Sequence, residues 1–173
     1  MVKGLSETLF TGRNLIKVKT IASTNNYALE LLANNEPIEG TAIMAEYQQS
    51  GKGQRGSGWL SDEGANLLVS LIFYPRFLSP NNQFYLNIIA SLAVMETVNN
   101  FCRADVKVKW PNDVYANERK IAGILIENSI RGSQIFSSVI GIGLNINQTS
   151  FPQFDVEATS LKNICNIKKF CFS

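Results

Sequence analysis

The segment 48-QQSGKGQRGSGW-59 places glycine at four of the eight positions from 51 to 58, with Lys52 and Arg55 among them. Dense glycine admits positive φ and leaves backbone N–H groups unobstructed. Successive N–H groups in such a loop form a concave anion site. Lys52 and Arg55 would reinforce it, and Trp59 closes the far end with an aromatic face. The same composition also suits a plain flexible connection between strands. A GxxxxGK[ST] phosphate loop is absent.

Four further segments carry usable groups. In 109-KWPNDVY-115, proline after tryptophan holds the chain extended where a strand ends. Asn112 and Asp113 then offer short polar side chains to a ribose, a nucleobase or a magnesium ion, or simply make a Pro-Asn-Asp turn. In 120-KIAGILIE-127, Lys120 opens a strongly apolar run; its ammonium is either a solvated strand end or the mouth of a half-buried site. Gly123 lets a ligand or another backbone come close. In 141-GIGLNIN-147, Gly141 and Gly143 fall on one strand face and leave a groove, while Asn145 and Asn147 supply amide edges; a bulged strand is the plainer account. Ser23, Thr24 and Asn25 suit a helix start, where capping explains the first two. The same helix end offers N–H groups to a carbonyl or anion.

Composition excludes several chemistries. With no histidine, Ser–His and Cys–His catalysis and the usual metal ligands drop out. Three cysteines cannot all pair within the chain, and no CxxC pair points to zinc. A net charge of +2 with scattered basic residues gives no concentrated basic face, so nucleic acid is not an expected partner. The most apolar stretch, 84–98, is broken by Asn87, Ser91 and Glu96 and is too short and polar to span a bilayer. The N-terminus lacks the apolar core of a secretory signal, which makes the cytoplasm the expected location. Hydrophobic residues at 45% and charged residues at 17% of 173 predict one compact domain with a real core.

These groups need a scaffold. Alternation predicts strands over 14–19 and 106–110, an apolar, β-rich run predicts a buried one over 66–74, and 41–47 also reads as a strand. Ser23 or Thr24 caps a helix running to about Asn34, and Asn81 or Asn82 starts a longer one to about Phe101, with Leu86, Ile89, Ala90, Ala93 and Val94 inside. Strands 114–116, 120–128 and 134–147 are joined by turns at Asn117-Glu118 and Arg131-Gly132. Short strands linked by tight turns imply antiparallel pairing. The expected class is α/β (α+β), a mixed, mainly antiparallel sheet with helices packed on one face.

In this order, the STN tripeptide, EYQQxGxGxRGxxW (46–59), GANL (64–67), KWPND (109–113), KxAGILxE (120–127) and GxGxN (141–145) resemble biotin–protein ligases. The resemblance covers roughly residues 20 to 163 and implies a fold like that of class II aminoacyl-tRNA synthetases and biotin synthetases. It also implies roles. Ser23, Thr24, Asn25 and Gln48 would bind the ureido ring of biotin, with Lys52, Gly53, Gln54, Gly123 and Gly143 completing that pocket. The 51–58 loop would close over biotin and the adenylate phosphate. Lys120 would bridge the biotin carboxylate and the α-phosphate, assisted by Lys52 and Arg55. Asn145 would meet adenine, Trp59 would pack over the intermediate, and Asn112 and Asp113 would lie by the phosphates, Asp113 with a Mg2+ ion. Substrates would be ATP and biotin; the partner would be the biotin carrier domain of a carboxylase, with a homodimer an open possibility. Such chemistry brings a carboxylate to a nucleotide, so fixed cations and N–H dipoles must offset their repulsion in the transition state. A loop that excludes water would protect the mixed anhydride.

There are departures. The family loop is often GRGRRG; here Lys52 and Gln54 stand in two arginine positions, and lysine lacks the planar fork. No DNA-binding helix-turn-helix precedes the core, so repression is not expected. Past 158-ATSLK-162 the family continues into a helix and a small β-barrel; the expected organisation here is a catalytic domain over 1–163 and a truncated tail over 164–173. A lipoate–protein ligase would carry a histidine motif and an octanoyl transferase a catalytic cysteine beside the pocket. A non-catalytic biotin-binding module is the other alternative.

Overall fold

The computed structural model describes residues 9–152 and 156–165, Arg55 without its side chain. Among the described residues seven strands form one sheet in the order β1-β2-β3-β7-β6-β5-β4. β1 (Leu15–Ile21) and β2 (Ala42–Gln48) are parallel, and α1 (Thr24–Asn34) supplies the crossover that parallel strands need. The remaining pairings are antiparallel, through β3 (Leu67–Phe73), β4 (Val106–Lys109), β5 (Asp113–Ala116), β6 (Arg119–Arg131) and β7 (Gln134–Leu144). Asn117 (φ 49°) and Glu118 (φ 63°) both adopt the left-handed conformation of a type I′ hairpin turn, whose twist matches that of the flanking strands.

The mixed, mainly antiparallel sheet is as expected, with one correction. The helices do not share a face. Strand residues alternate between faces, and adjacent residues of β7 join different cores. Ile140 and Leu144 pack with Ala90, Val94 and Val98 of α2 (Phe84–Phe101) and with Val114 and Ile124. Val139 packs instead with Ile43, Ile72 and Ala28 of α1. The parallel crossover lifts α1 over the face opposite α2. α3 (Leu161–Cys165) joins the α2 side through Leu161. It crosses the expected boundary at 163, and residues 166–173 of the expected tail lie outside the described residues.

The inner stripe of α2 also differs. Leu86, Ala90, Ser91, Val94 and Val98 are buried, whereas Ile89 is 64% exposed and Ala93 is exposed. Large apolar side chains stand outside α2 as well as inside, with Phe84, Tyr85 and Leu92 also exposed, so periodicity alone did not choose its face. Among the described residues no helix is long and apolar enough to cross a membrane.

Candidate active site

A hollow of about 240 Å³ lies on the α1 side of the sheet. Its first wall is the start of α1. Ser23 is in extended backbone (φ −157°, ψ 135°) and its hydroxyl accepts the Asn26 N–H at 3.5 Å, which caps the helix and turns Thr24 and Asn25 inward. Gln48, at the end of β2, meets that turn: its Oε1 accepts the Thr24 N–H at 2.7 Å and lies 3.0 Å from the Thr24 hydroxyl oxygen. A backbone N–H can only donate, so the amide orientation is fixed, and the Gln48 NH2 group is left toward the loop at Gly51.

That loop is the second wall. Lys52 and Gly58 form an isolated bridge; the Gly53 N–H donates to Ser57 O at 2.7 Å and the Trp59 N–H to Gly51 O at 2.9 Å. The loop is therefore a closed miniature hairpin around a single 3-10 turn (Gln54–Gly56), and several of the amides expected to cradle an anion are used internally. Gly51 to Gly56 has GxGxxG spacing, but a 3-10 turn instead of a helix follows, so it is no dinucleotide fingerprint.

The floor is glycine. Gly123 of β6 and Gly143 of β7 are directly paired, and the Trp59 indole lies against both. A Cβ on Gly123 would come within 2.9 Å of Trp59 Cζ3, and one on Gly143 would collide with the ring. The indole Nε1 is buried without a hydrogen-bond partner. At the rim, Lys120 Nζ lies 2.8 Å from Asp113 Oδ1 and 5.8 Å from the centre of the Trp59 ring; the two charged side chains are 30% and 23% exposed. Asn112 is pinned to β6, its Nδ2 donating to Ile124 O at 3.1 Å while its carbonyl accepts the Ile124 N–H at 2.8 Å. Among the described residues Lys52 and Lys120 face a single lining carboxylate, Asp113, so this lining leans positive.

The side chains singled out from the sequence line this hollow, save Arg55, Asn145 and Asn147, the last of which is not part of the lining. The Arg55 side chain lies outside the described residues. Asn145 sits behind it: 4% exposed, its Nδ2 donates to Thr159 O at 3.0 Å, and its Oδ1 is buried without a partner. Asn25 lines the wall but turns its amide into the protein, toward Ser70 and Glu127. Ser70 and Glu127 were not anticipated. Their signal was available: Ser70 is the lone polar side chain between β-rich apolar neighbours in 67-LLVSLIF-73.

Residues 18–145 match the model of the biotin/lipoate A/B protein ligase family. The chain is 38% identical over 140 residues to the bifunctional ligase/repressor BirA of Bacillus spizizenii, covering 80% of this chain and 42% of that protein. It is 34% identical over 155 residues to the biotin–[acetyl-CoA-carboxylase] ligase of Mycobacterium tuberculosis, 88% of this chain and 56% of that one. Among solved structures, the biotin protein ligase from Aquifex aeolicus in complex with biotin and ATP superposes with a TM-score of 0.76 at 33% identity, covering 92% of this chain and 63% of that one. The chain thus spans about half the length of the curated relatives it matches. An ordered motif set, a glycine-floored hollow that gathers it, and a family match across most of its length agree that this chain belongs to the biotin/lipoate A/B protein ligase family.

Proposed function

We propose that this chain is an ATP-dependent biotin–protein ligase, which forms biotinyl-5′-AMP and passes biotin to a lysine of a carrier protein. The observation that carries this reading is the meeting of Lys120, the Gly51–Gly58 loop and the first turn of α1 around one hollow. Among the described residues, two lysines, Lys52 and Lys120, and one carboxylate, Asp113, line it. The outward NH2 of Gln48 suits the ureido oxygen of biotin, and Lys120 suits the two anions that must come together. The carboxylate oxygen attacks the α-phosphorus of ATP, pyrophosphate leaves, and the carrier's lysine amine then attacks the acyl carbon and expels AMP. No step needs a histidine or a protein nucleophile.

Two rearrangements follow from the geometry. Ligand pockets usually span about 300–1,000 Å³, so this one must open for both substrates. Trp59 must leave its seat on Gly143, and Lys120 must exchange Asp113 for substrate oxygens. The freed Asp113 suits a Mg2+ ion that arrives on the phosphates, since such ions need only one or two protein carboxylates. The unpartnered Asn145 Oδ1 suits the 6-amino group of adenine. The partner is the biotin carrier domain of a carboxylase and the location the cytoplasm, where ATP is supplied.

Calorimetry with biotin and with lipoate identifies the acid. Biotin binding followed by biotin-dependent pyrophosphate release supports the proposal. Lipoate binding alone overturns it, and biotin binding without pyrophosphate release makes the chain a binding module.

A further inference from the structure

One side chain that lines the hollow has no polar capacity turned toward a ligand. Asn25 is 3% exposed, and its amide lies over Gly141, where any Cβ would strike it. Its Nδ2 donates to Glu127 Oε2 at 2.7 Å and to Leu125 O at 3.4 Å. Its Oδ1 lies 2.6 Å from the hydroxyl of Ser70, a fully buried residue. A carboxylate only accepts, so Glu127 fixes the NH2 end of Asn25, and the opposite end must be the carbonyl. Ser70 has one proton, and Asn25 Oδ1 has none to return. The Ser70 hydroxyl therefore donates to Asn25, and the Thr24 hydroxyl, 2.7 Å away, is left to donate to Ser70. Thr24 is the residue whose N–H orients Gln48. The chain of contacts thus runs Glu127, Asn25, Ser70, Thr24, Gln48, from β6 across β7 to β3, α1 and β2.

We propose that Glu127 and Ser70 are positioning residues that lock the first turn of α1 over the hollow through Asn25, and that they govern affinity for the acid substrate and not for the nucleotide. The inference rests on the ligase reading for the identity of that acid. The lock itself does not. Asn25 bridges strands that lie on either side of β7, so it sets the height of the turn above the glycine groove. Lys120, Asp113 and Asn145 stand outside this chain of contacts.

The test replaces Glu127 in the full chain. Glu127→Met removes the acceptor at similar length. It should raise the biotin KM in pyrophosphate release about tenfold or more, the size expected for losing a hydrogen bond to a charged group, with the ATP KM changed by less than about twofold. Glu127→Gln keeps an acceptor and should stay close to the parent. Hydrogen exchange in the ligand-free protein gives a second readout: the Asn26 and Tyr27 amides should exchange faster in Glu127→Met and normally in Glu127→Gln. If Glu127→Met fails to fold, Ser70→Ala breaks the same chain from the other end with the same expected split. Equal damage in Glu127→Gln, parallel rises in both KM values, or no change in Glu127→Met would overturn the lock. If the parent binds no biotin, the ligase reading fails, and the exchange rates alone still decide whether Glu127 holds the turn.

Discussion

β7 presents two faces built to opposite rules. Toward α2 it offers Ile140, Ile142 and Leu144, which interdigitate with Val94, Val98, Val114 and Ile124 in the larger core. Toward α1 it offers Val139 and then Gly141 and Gly143, whose missing side chains make room for Asn25 and Trp59. One face is filled to hold the sheet together, and the other is emptied so that polar groups and a ligand can approach the backbone. Stability and function are thus separated by a one-residue alternation.

The separation is tested most strongly by refilling the emptied face. Gly143→Val should abolish biotin binding, more than about a hundredfold by calorimetry, because its side chain would fill the groove that Trp59 must vacate for the ligand. Its melting temperature should fall less than that of a core truncation. Retained affinity would show that the glycine floor is not the ligand seat. Removing the charge at the rim comes next. Lys120→Ala should lower the rate of adenylate formation by about a hundredfold, ~3 kcal/mol of transition-state stabilisation. Unchanged single-turnover rates would remove Lys120 from the mechanism.

The filled face should respond in the converse way. Ile124→Ala should cost about 2–4 kcal/mol in denaturant unfolding, the usual range for deleting a fully buried isoleucine, while pyrophosphate release per folded molecule stays near normal. The smallest effect concerns pH. Burial beside α2, with Cys102 as neighbour, pushes the Cys165 thiol from 9.0 up to about 12. The folded protein then keeps a proton that the unfolded chain loses, so this contribution to stability is complete below pH 9 and is lost as pH rises toward 12. Thermal unfolding from pH 8 to 11 should show a decline that Cys165→Ala lessens.

Much of this was legible in the residues. Turn chemistry at Asn117-Glu118 and Gly132, apolar runs in β3 and β6, and the cap at Ser23 located the seven strands and the two long helices within a few residues. Most of the motif residues converged on one hollow, Asn145 being buried outside its lining. What stayed hidden depends on contacts between distant segments. α2 carries apolar residues on its outer as well as its inner side, so only packing reveals that Ile89 and Ala93 face out. The placement of α1 on the other face follows from a parallel pairing of β1 with β2 that local patterns do not encode. The inward turn of Asn25 needs Glu127, 102 positions away.

The decisive experiment is a crystal soaked with biotin and ATP. Biotinyl adenylate should lie on the α1 side of the sheet, with Trp59 lifted from Gly143 and Lys120 Nζ moved from Asp113 to the acyl-phosphate oxygens. Ligand bound elsewhere, or bound here with Lys120 still on Asp113, would contradict the proposed mechanism.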